Sequence, residues 1–392
     1  MGIKLFKHNA PSKEGSTLVV KVVVMGVLLV ISACSVYTVG VQVGMETKAA
    51  VKTVEKTQQA QGTQAIAQTT DNLIQPSTNS YPLAIPEGQA QALPSIRLSK
   101  EEDATINRKK IYGGQGDKEH LGGFTAYDGQ GVSPAVWKHM INSIGVKSLI
   151  DVGCGKGVST LYFESNGVDV LCLEGSHDAV EHSLLPDPAN QVVEHDFSRG
   201  PYWPGKTYDA VWSVEFLEHV GRNYQHNYIQ AMRKAAYLFV SHSRWGGWHH
   251  VEVHSPEWWI TRMTSFGFVY SKELTEEIRH VASIENREGA ANKNNPDKAL
   301  EALGPDGEHY NAQHVWLNML VFINPAVAAL PEHAHLLAEQ GCYKGREGGV
   351  HIHRECDPSK GESVLPESFR PLQWSVEAHK AWLEKVKSSI KA

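Results

Sequence analysis

The chain has 392 residues, 41% of them hydrophobic, and a formal net charge of −6. A chain of this length can bury the core of one large domain or of two modest ones. Its acidic balance excludes a global basic surface of the kind that binds nucleic acid through phosphate contacts, so we expect no nucleic-acid partner.

The first 45 residues have the pattern of a membrane anchor. Residues 1–21 form a short basic tail with four lysines and one glutamate, and no charged residue follows between Val22 and Met45. A transmembrane helix over residues 22–45 would be about 36 Å long, enough for a hydrocarbon core of about 30 Å. The basic tail favours a cytoplasmic N-terminus, with the rest of the chain lumenal (in the Golgi or endoplasmic reticulum of a eukaryote) or extracytoplasmic. A cleaved signal peptide and a bacterial lipoprotein box at Ile31–Cys34 are the alternatives.

The composition changes after this segment. Residues 46–98 are rich in Gln, Thr, Ala and Pro and poor in aromatic residues, which is typical of a disordered stem. The folded domain is predicted over residues 99–325. It opens with a glycine-rich run at residues 111–134, which we expect, together with Tyr112, to cover a site.

From residue 135 onward, strand and helix patterns alternate. Buried apolar runs predict strands at Lys147–Val152, Val168–Leu173, Gln191–Glu194, Tyr208–Val214, Ala236–Ser241, Val269–Leu274 and Trp316–Ile323. Helical patterns are found at Ala135–Ile144, Ser159–Ser165, Asp178–Ser183, Asn227–Ala235 and Pro256–Phe266. Strands separated by helices in this way indicate a parallel sheet that is covered on both faces.

Residues 326–392 are predicted to form a peripheral C-terminal extension, with a helix at Ser375–Ile390. Five cysteines are too few for a disulfide framework in a chain of this length. Cys342 and Cys356 could form a bridge if the domain is lumenal, or they could remain two unpaired thiols.

A glycine turn follows the first predicted strand. Gly153, Gly155 and Gly157 allow the backbone to turn tightly and to approach a ligand closely, with Asp151 before them and Cys154 among them. A glycine turn could equally serve a nucleotide, so this signal is weak by itself.

Two acidic residues sharpen that signal. Glu174, followed by Gly175, ends the second predicted strand, where an acid accepts hydrogen bonds from ribose hydroxyls. Asp196 ends the third strand, with Phe197 beside it for stacking on a flat base. A glycine turn and two acids at the carboxyl ends of three successive strands predict an adenosine pocket.

These segments resemble the successive motifs of class I S-adenosylmethionine-dependent methyltransferases, and the fourth-strand segment resembles the small-molecule subgroup sometimes called type 11. The matching segments are Asp151–Gly157, Cys172–Gly175, Glu194–Phe197 and Tyr208–Val220. The resemblance implies an α/β fold with a Rossmann-like, seven-stranded methyltransferase sheet that is mostly parallel with its last strand antiparallel. It also implies S-adenosyl-L-methionine as the cofactor.

The resemblance further implies a part for each residue. Asp151 and Gly153 would meet the methionine moiety, Glu174 the ribose, and Asp196 with Phe197 the adenine. The full predicted cofactor set is Asp151, Gly153, Cys154, Gly155, Gly157, Glu174, Gly175, Asp196, Phe197, Ser213 and Glu215. An NAD-type site is the alternative, against which the Gly-x-Gly-x-Gly spacing and the fourth-strand motif argue.

The segment Trp245–His254 follows the fifth predicted strand, at the same end of the sheet as the cofactor. Its His249 and His250 are candidates for a general base, since histidine is the side chain most easily tuned to accept a proton near neutral pH. Glu218 and His219 are further catalytic candidates, although in the resembled family this pair often packs beside the cofactor.

The same segment allows a metal site. If it is extended, His250, Glu252 and His254 share one face and could hold an ion that polarises an acceptor hydroxyl. The alternative is that these side chains only hydrogen-bond the loop, and we expect no metal at the site.

Together, the patterns predict an O-methyltransferase that acts on a small-molecule or glycan hydroxyl with a histidine base, tethered to a membrane by one N-terminal helix. A membrane-tethered lipid or quinone methyltransferase is one alternative. A non-catalytic cofactor-binding protein is another, against which the intact glycine turn and both acids argue.

Overall fold

The computed structural model describes residues 91–106, 114–121, 126–337, 345–347, 350–352, 357–361 and 366–391. The predicted basic tail, transmembrane helix and most of the stem lie outside the described residues, as do Tyr112, Cys342 and Cys356. Within the described ranges, no helix combines the length and the apolar character needed to cross a bilayer.

A seven-stranded sheet forms the centre of the fold. Its strands are β1 Ser148–Val152, β2 Asp169–Glu174, β3 Val192–Glu194, β4 Tyr208–Ser213, β5 Ala235–Val240, β6 Val269–Tyr270 and β7 Leu320–Ile323. Their order across the sheet is β3-β2-β1-β4-β5-β7-β6. The pairs among β1 to β5 are parallel, whereas β7 runs antiparallel to both of its neighbours. The predicted seven strands with an antiparallel last strand are confirmed. A separate two-stranded ribbon joins β8 Gly345–Glu347 to β9 Val350–Ile352.

Helices occupy most of the connections. They are α1 Lys100–Asp103, α2 Pro134–His139, α3 Val158–Ser165, α4 His177–Glu181, α5 Pro188–Gln191, α6 Gln225–Met232, α7 Pro256–Ser265, α8 Lys272–Asn292, α9 Ala299–Ala302, α10 Gln313–Asn318, α11 Pro325–Ala328 and α12 Val376–Lys391. A π-helical turn at Met140–Ile144 extends α2, and short 3₁₀ turns lie at Glu119–Leu121, Leu217–His219, Arg222–Tyr224, Pro296–Lys298, Pro331–Leu337, Pro358–Lys360 and Glu367–Phe369.

Both faces of the sheet are buried. Along β1, Leu149 packs into one apolar cluster, whereas Ile150 and Val152 pack into the other. Alternate residues of a strand point to opposite faces, so an apolar run of this kind indicates a strand covered on both sides. That property explains why the apolar runs of the sequence located the central strands.

The register of the parallel strands sets the position of the site. Val152 at the end of β1 pairs with Leu173, one residue before the end of β2, and Glu174 pairs with Glu194 at the end of β3. The three strands therefore end together, and the turns that follow them meet at one edge of the sheet.

The largest departure from the predicted elements lies near the end of the sheet. We expected a strand over Val269–Leu274, but β6 ends at Tyr270. Ser271 then caps α8, because its hydroxyl accepts a hydrogen bond from the Leu274 amide at 3.3 Å. The expected strand at Trp316–Ile323 is likewise shorter, since its first residues belong to α10.

The C-terminal helix packs into the core and is not the peripheral extension that we expected. Trp382 of α12 is fully buried, and its indole N–H donates to the carbonyl of Val158 at 2.8 Å. Trp374, just before α12, donates to the hydroxyl of Tyr162 at 2.7 Å. Both contacts fix α12 against α3, the helix that follows the glycine turn.

The end of the predicted stem also contacts the domain. The Leu93 amide donates to His195 Nδ1, and its carbonyl accepts from the Asp196 amide, both at 3.0 Å. The Ser95 hydroxyl donates to Glu194. Residues 93–95 therefore lie along the end of β3, beside the edge of the sheet at which the turns meet.

Candidate active site

A cavity of about 580 Å³ opens at the carboxyl ends of β1, β2 and β4. Its size is typical of a small-molecule site. Segments that follow five strands contribute to its wall, together with the loop around His120. From the predicted cofactor set, the lining residues are Asp151, Gly153, Cys154, Gly155, Glu174, Gly175, Asp196, Phe197 and Glu215.

The glycine turn has a backbone that other residues would strain. Gly153, Gly155 and Gly157 have φ angles of +76°, +56° and +82°, in the left-handed region that favours glycine. A β-carbon at Gly153 would also lie 2.6 Å from a ring carbon of Phe216. Gly157 does not line the cavity but stands at the N-terminus of α3.

Asp151 ties the strand to the helix. One of its carboxylate oxygens accepts hydrogen bonds from the hydroxyls of Ser159 at 2.6 Å and Thr160 at 2.7 Å. Burial raises the pKa of Asp151 to about 6, against the lowering effect of these two bonds. The residue lines the cavity while holding the first turn of α3 in place.

Glu174 holds the two turns together. Its carboxylate accepts hydrogen bonds from the amides of Gly155 and Ser176, each at 2.8 Å. Burial raises the pKa of Glu174 to about 7, although the hydrogen bonds from the amides act in the opposite direction. A carboxylate has about four lone-pair sites, so this group keeps acceptor capacity for hydroxyls in the cavity.

The wall of the cavity beside the end of β3 is also closely packed. A β-carbon at Gly175 would lie 2.6 Å from a methyl carbon of Leu121. Both carboxylate oxygens of Asp196 lie 3.2 Å from His120 Nε2. Burial opposes ionisation of Asp196, but the hydrogen bonds from His120 and Ser198 outweigh it and lower the pKa.

A disulfide bond joins Cys154 of the glycine turn to Cys172 of β2, with the two α-carbons 5.7 Å apart. The cysteines that sequence analysis considered as a pair, Cys342 and Cys356, lie outside the described residues. Sequence spacing gave no signal for the Cys154–Cys172 bond, because it depends on the parallel register of β1 and β2.

Two predicted cofactor residues, Ser213 and Glu215, lie at the end of β4, and only Glu215 reaches the cavity. Ser213 is fully buried, donates its hydroxyl to the carbonyl of Val152 at 2.9 Å and does not reach the cavity. Glu215 lines the cavity on a backbone with φ +50°. Its carboxylate accepts from the hydroxyl of Ser241 at 3.0 Å and lies 3.4 Å from His314.

Histidines from several segments also line the cavity. His249 has φ +48°, an uncommon conformation for a residue other than glycine, and its buried Nδ1 has no hydrogen-bond partner. Its ring centroid lies 6.1 Å from that of His120. Burial, together with His120, lowers the pKa of His249, so the ring is neutral near neutral pH.

His219 and His250 stack edge to face, with ring centroids 4.8 Å apart. His219 lines the cavity, whereas His250 does not. Burial, with a smaller effect from His250 and His249, lowers the pKa of His219 to about 4. All three histidines of this cluster come from two segments that lie about thirty residues apart in the sequence.

Glu218 lies close to the rings of His219 and His250 and is fully buried. Its backbone carbonyl accepts from the amides of Val251 at 2.8 Å and Glu252 at 3.1 Å, which fixes the histidine segment to the turn after β4. Neither carboxylate oxygen of Glu218 has a hydrogen-bond partner. Burial and the nearby Glu215 carboxyl raise the pKa of Glu218 well above its ordinary value.

The predicted set of His250, Glu252 and His254 does not assemble. Glu252 accepts hydrogen bonds from the backbone and the guanidinium of Arg222, at 2.7 and 3.1 Å, and lies 2.6 Å from His254 Nε2. His254 also stacks on Trp258, with ring centroids 3.7 Å apart. These side chains support the loop, which was the alternative that the sequence left open.

Comparison with known proteins gives one family match. Residues 150–236 match the model described as a methyltransferase domain. This part of the chain is therefore similar to a methyltransferase domain. The match supports a class I enzyme with S-adenosylmethionine as its cofactor. The residues of the cavity fit that molecule, because the glycine turn leaves space for it and Glu174 offers acceptor oxygens to the hydroxyls of its adenosine.

The remaining comparisons are distant. An S-adenosylmethionine dependent methyltransferase from Mesorhizobium loti is 13% identical, with 48% of this chain and 95% of that chain covered and a TM-score of 0.31. A SAM dependent methyltransferase from Archaeoglobus fulgidus is 16% identical, with 35% of this chain and 69% of that chain covered and a TM-score of 0.25. These similarities are too remote to assign a substrate. No curated protein sequence matches the chain.

The candidate site and its surroundings contain residues that sequence analysis did not select. His120 and Leu121 reach the cavity from a glycine-rich segment that was expected to cover the site only in general terms. His314, which lies near both Glu215 and Asp128, comes from α10, far along the chain. No motif marks either histidine, so only the fold could bring His120 to the cavity and His314 to the cavity-lining residues Glu215 and Asp128.

Proposed function

We propose that this methyltransferase transfers the methyl group of S-adenosylmethionine to a hydroxyl of a small molecule or a glycan, with His249 as the general base. The observation that carries the proposal is the position of His249. It lines the same cavity as Asp151 and Glu174, and burial lowers the pKa of its ring, which favours the neutral imidazole. A hydroxyl brought to the His249 side chain would therefore meet a neutral imidazole that can accept a proton.

The chain's own residues divide the work between them. Glu174 and the amides of the glycine turn bind and orient the cofactor, in the adenosine pocket expected from the sequence. When bound, S-adenosylmethionine would supply a methyl group whose carbon an oxygen nucleophile attacks, with the neutral thioether S-adenosylhomocysteine as the leaving group. His249 accepts the proton that the hydroxyl must lose, and the walls around Val214 and Phe216 keep water from the reacting atoms.

The backbone of His249 supports a functional assignment. Strained conformations of non-glycine residues persist only where the surrounding structure holds them, and they are concentrated at functional sites. His249 and Glu215 both have positive φ angles, and both line the cavity. Hydrogen bonds to the Glu218 carbonyl hold the segment that follows His249.

The proposal is tested by methyl transfer from labelled S-adenosylmethionine to a panel of sugars, phenols and lipids. We expect His249→Gln to lower kcat by about 10²- to 10⁴-fold, as the loss of a general base does, with cofactor affinity unchanged. His226→Ala is the matched control, because His226 is an exposed histidine of α6. Cofactor binding without transfer to any acceptor would instead indicate a non-catalytic binding protein, and lipid acceptors alone would indicate the lipid alternative.

We also propose that the methyltransferase domain is tethered by residues 22–45 and faces a lumenal or extracytoplasmic compartment. The uncharged apolar run supports the tether. The bond between Cys154 and Cys172 supports the compartment, because disulfides persist in oxidising environments. Carbonate extraction followed by protease protection tests both parts. Release of the full chain from membranes by carbonate would contradict the tether. Digestion of the domain by protease added outside sealed vesicles whose cytoplasmic face is outermost would contradict the compartment.

A further inference from the structure

Three side chains beside the cavity bring possible metal ligands close together. Glu218, His219 and His250 each offer a ligand atom, and these atoms lie within 4.8 Å of one another. Glu218 and His219 belong to the turn after β4, and His250 belongs to the loop between β5 and α7. Among the residues that the structure describes, this is the one cluster of three or more His, Cys, Asp or Glu side chains with such spacing.

The Glu218 carboxyl group lacks the partners that a buried polar group requires. The residue is fully buried, and neither of its carboxylate oxygens accepts or donates a hydrogen bond. The nearby Glu215 carboxyl accepts from Ser241 and lies 3.4 Å from His314, and it opposes the ionisation of Glu218 instead of compensating its charge. Because a buried ionisable group without partners is destabilising, such groups are paired or coordinate metals. The Nδ1 atom of His219 is also buried without a partner.

His250 is oriented as metal-binding histidines are. Its Nδ1–H donates to the carbonyl of Trp245 at 2.8 Å, which leaves the lone pair of the neutral ring on Nε2. A β-carbon at Gly247 would lie 2.5 Å from this Nε2. Glycine at that position therefore leaves the nitrogen uncovered.

We propose that Glu218, His219 and His250 bind a transition-metal dication, with Zn²⁺ or Mn²⁺ as the representative ions. Two imidazoles and one carboxylate suit such ions better than Mg²⁺ or Ca²⁺, which prefer oxygen ligands throughout. Three protein ligands leave a coordination position open, and His219 places the group at the cavity wall. This inference rests on the proposed function: an ion there lowers the pKa of an acceptor hydroxyl, and His249, the neighbouring residue, accepts its proton.

The test uses the full chain, purified in detergent and freed of metal with a chelator, and measures ion binding without any acceptor. Zn²⁺ and Mn²⁺ alone are titrated by calorimetry into the wild type, Glu218→Gln and His250→Ala. His254→Ala is the matched control, since His254 lies in the same segment but stacks on Trp258 outside the cluster. We expect one equivalent of ion in the wild type and the control, and affinity lowered at least about tenfold in the other two variants.

Absorption of Co²⁺-loaded protein provides a second readout, because imidazole and carboxylate ligands give visible bands that Glu218→Gln should alter. Wild-type protein that is folded by circular dichroism but binds no ion would overturn the inference, as would variants that bind as tightly as the wild type. The same metal-free samples are titrated with S-adenosylhomocysteine. If the protein binds S-adenosylhomocysteine but no ion, the metal site is wrong and the proposed function stands. If it binds the ion but not S-adenosylhomocysteine, the metal site stands and the proposed function is wrong.

Discussion

The Glu174 carboxylate accepts a hydrogen bond from the Gly155 amide at 2.8 Å, across the gap between two neighbouring strands. The residue that is expected to bind the ribose therefore also fixes the shape of the glycine turn. Its second bond, from the Ser176 amide, fixes the start of the next turn. One side chain thus joins the two backbone segments that form this end of the cavity.

The first prediction concerns this dual role. Glu174→Ala should weaken binding of S-adenosylhomocysteine by roughly 10- to 100-fold, since hydrogen bonds to a charged group contribute about 1.5–3 kcal/mol. Titration calorimetry at pH 8, above the pKa of about 7 for Glu174, measures the change. Glu194→Ala is the control, because Glu194 ends β3 but does not line the cavity. Equal affinities for Glu174→Ala and the wild type would show that the ribose site lies elsewhere.

The cofactor half of the site could be predicted from sequence because it is local. The glycine turn begins directly after β1, Glu174 is the last residue of β2, and Asp196 lies two residues after β3, and parallel strands end at one edge of the sheet. On the other side of the cavity, the sequence named the candidate residues but could not predict how they are grouped in space. Glu218 and His250 lie 32 residues apart on two loops, and their proximity depends on backbone hydrogen bonds to the Glu218 carbonyl.

Helix α8 illustrates the same difference within the fold. Its buried face includes Glu277 and Glu285. Because acidic residues occupy positions of the inward face, the sequence shows no clear apolar stripe there. Their partners are remote: His139 lies 2.7 Å from Glu277, and Ser133 donates to Glu285. A pattern of apolar residues cannot reveal a helix whose inward face is completed by acids with distant partners.

The second prediction separates two effects at left-handed glycines. Gly153→Ala should lose stability and also cofactor binding, because its β-carbon would lie 2.6 Å from a ring carbon of Phe216. Gly167→Ala has a similar φ of +84° but no atom within 4 Å of the new carbon, so it should lose only about 1 kcal/mol and bind normally. Urea denaturation and product titration measure both properties. Normal binding by folded Gly153→Ala would contradict the close packing of the turn.

The third prediction concerns the bond between Cys154 and Cys172. The two cysteines are 18 positions apart, and closing a loop of that size stabilises a protein by about 3 kcal/mol. Adding dithiothreitol should therefore lower the urea midpoint of the wild type. The double variant Cys154→Ser, Cys172→Ser should start at the lower midpoint and not respond to the reductant. If reductant lowered the midpoints of both proteins equally, the effect would come from other cysteines.

The last prediction concerns pH and the buried Glu285. Burial raises the pKa of this carboxyl from 4.5 to about 7, although bonds from the Ser133 hydroxyl and the Ala135 amide favour ionisation. Because the folded pKa exceeds the unfolded one, the contribution of Glu285 to stability is complete below pH 4.5 and is lost as the pH rises through 7.

The loss amounts to about 3 kcal/mol, at 1.36 kcal/mol for each pH unit between the two pKa values. Glu285→Gln keeps an oxygen for the Ala135 amide and an N–H for the Ser133 hydroxyl, but it cannot ionise. The wild type should therefore lose more stability than this variant between pH 5 and pH 8, as measured by urea denaturation at each pH. Parallel pH profiles for the two proteins would mean that Glu285 is already ionised in the folded state at pH 5, with its charge compensated by the hydroxyl and the amide.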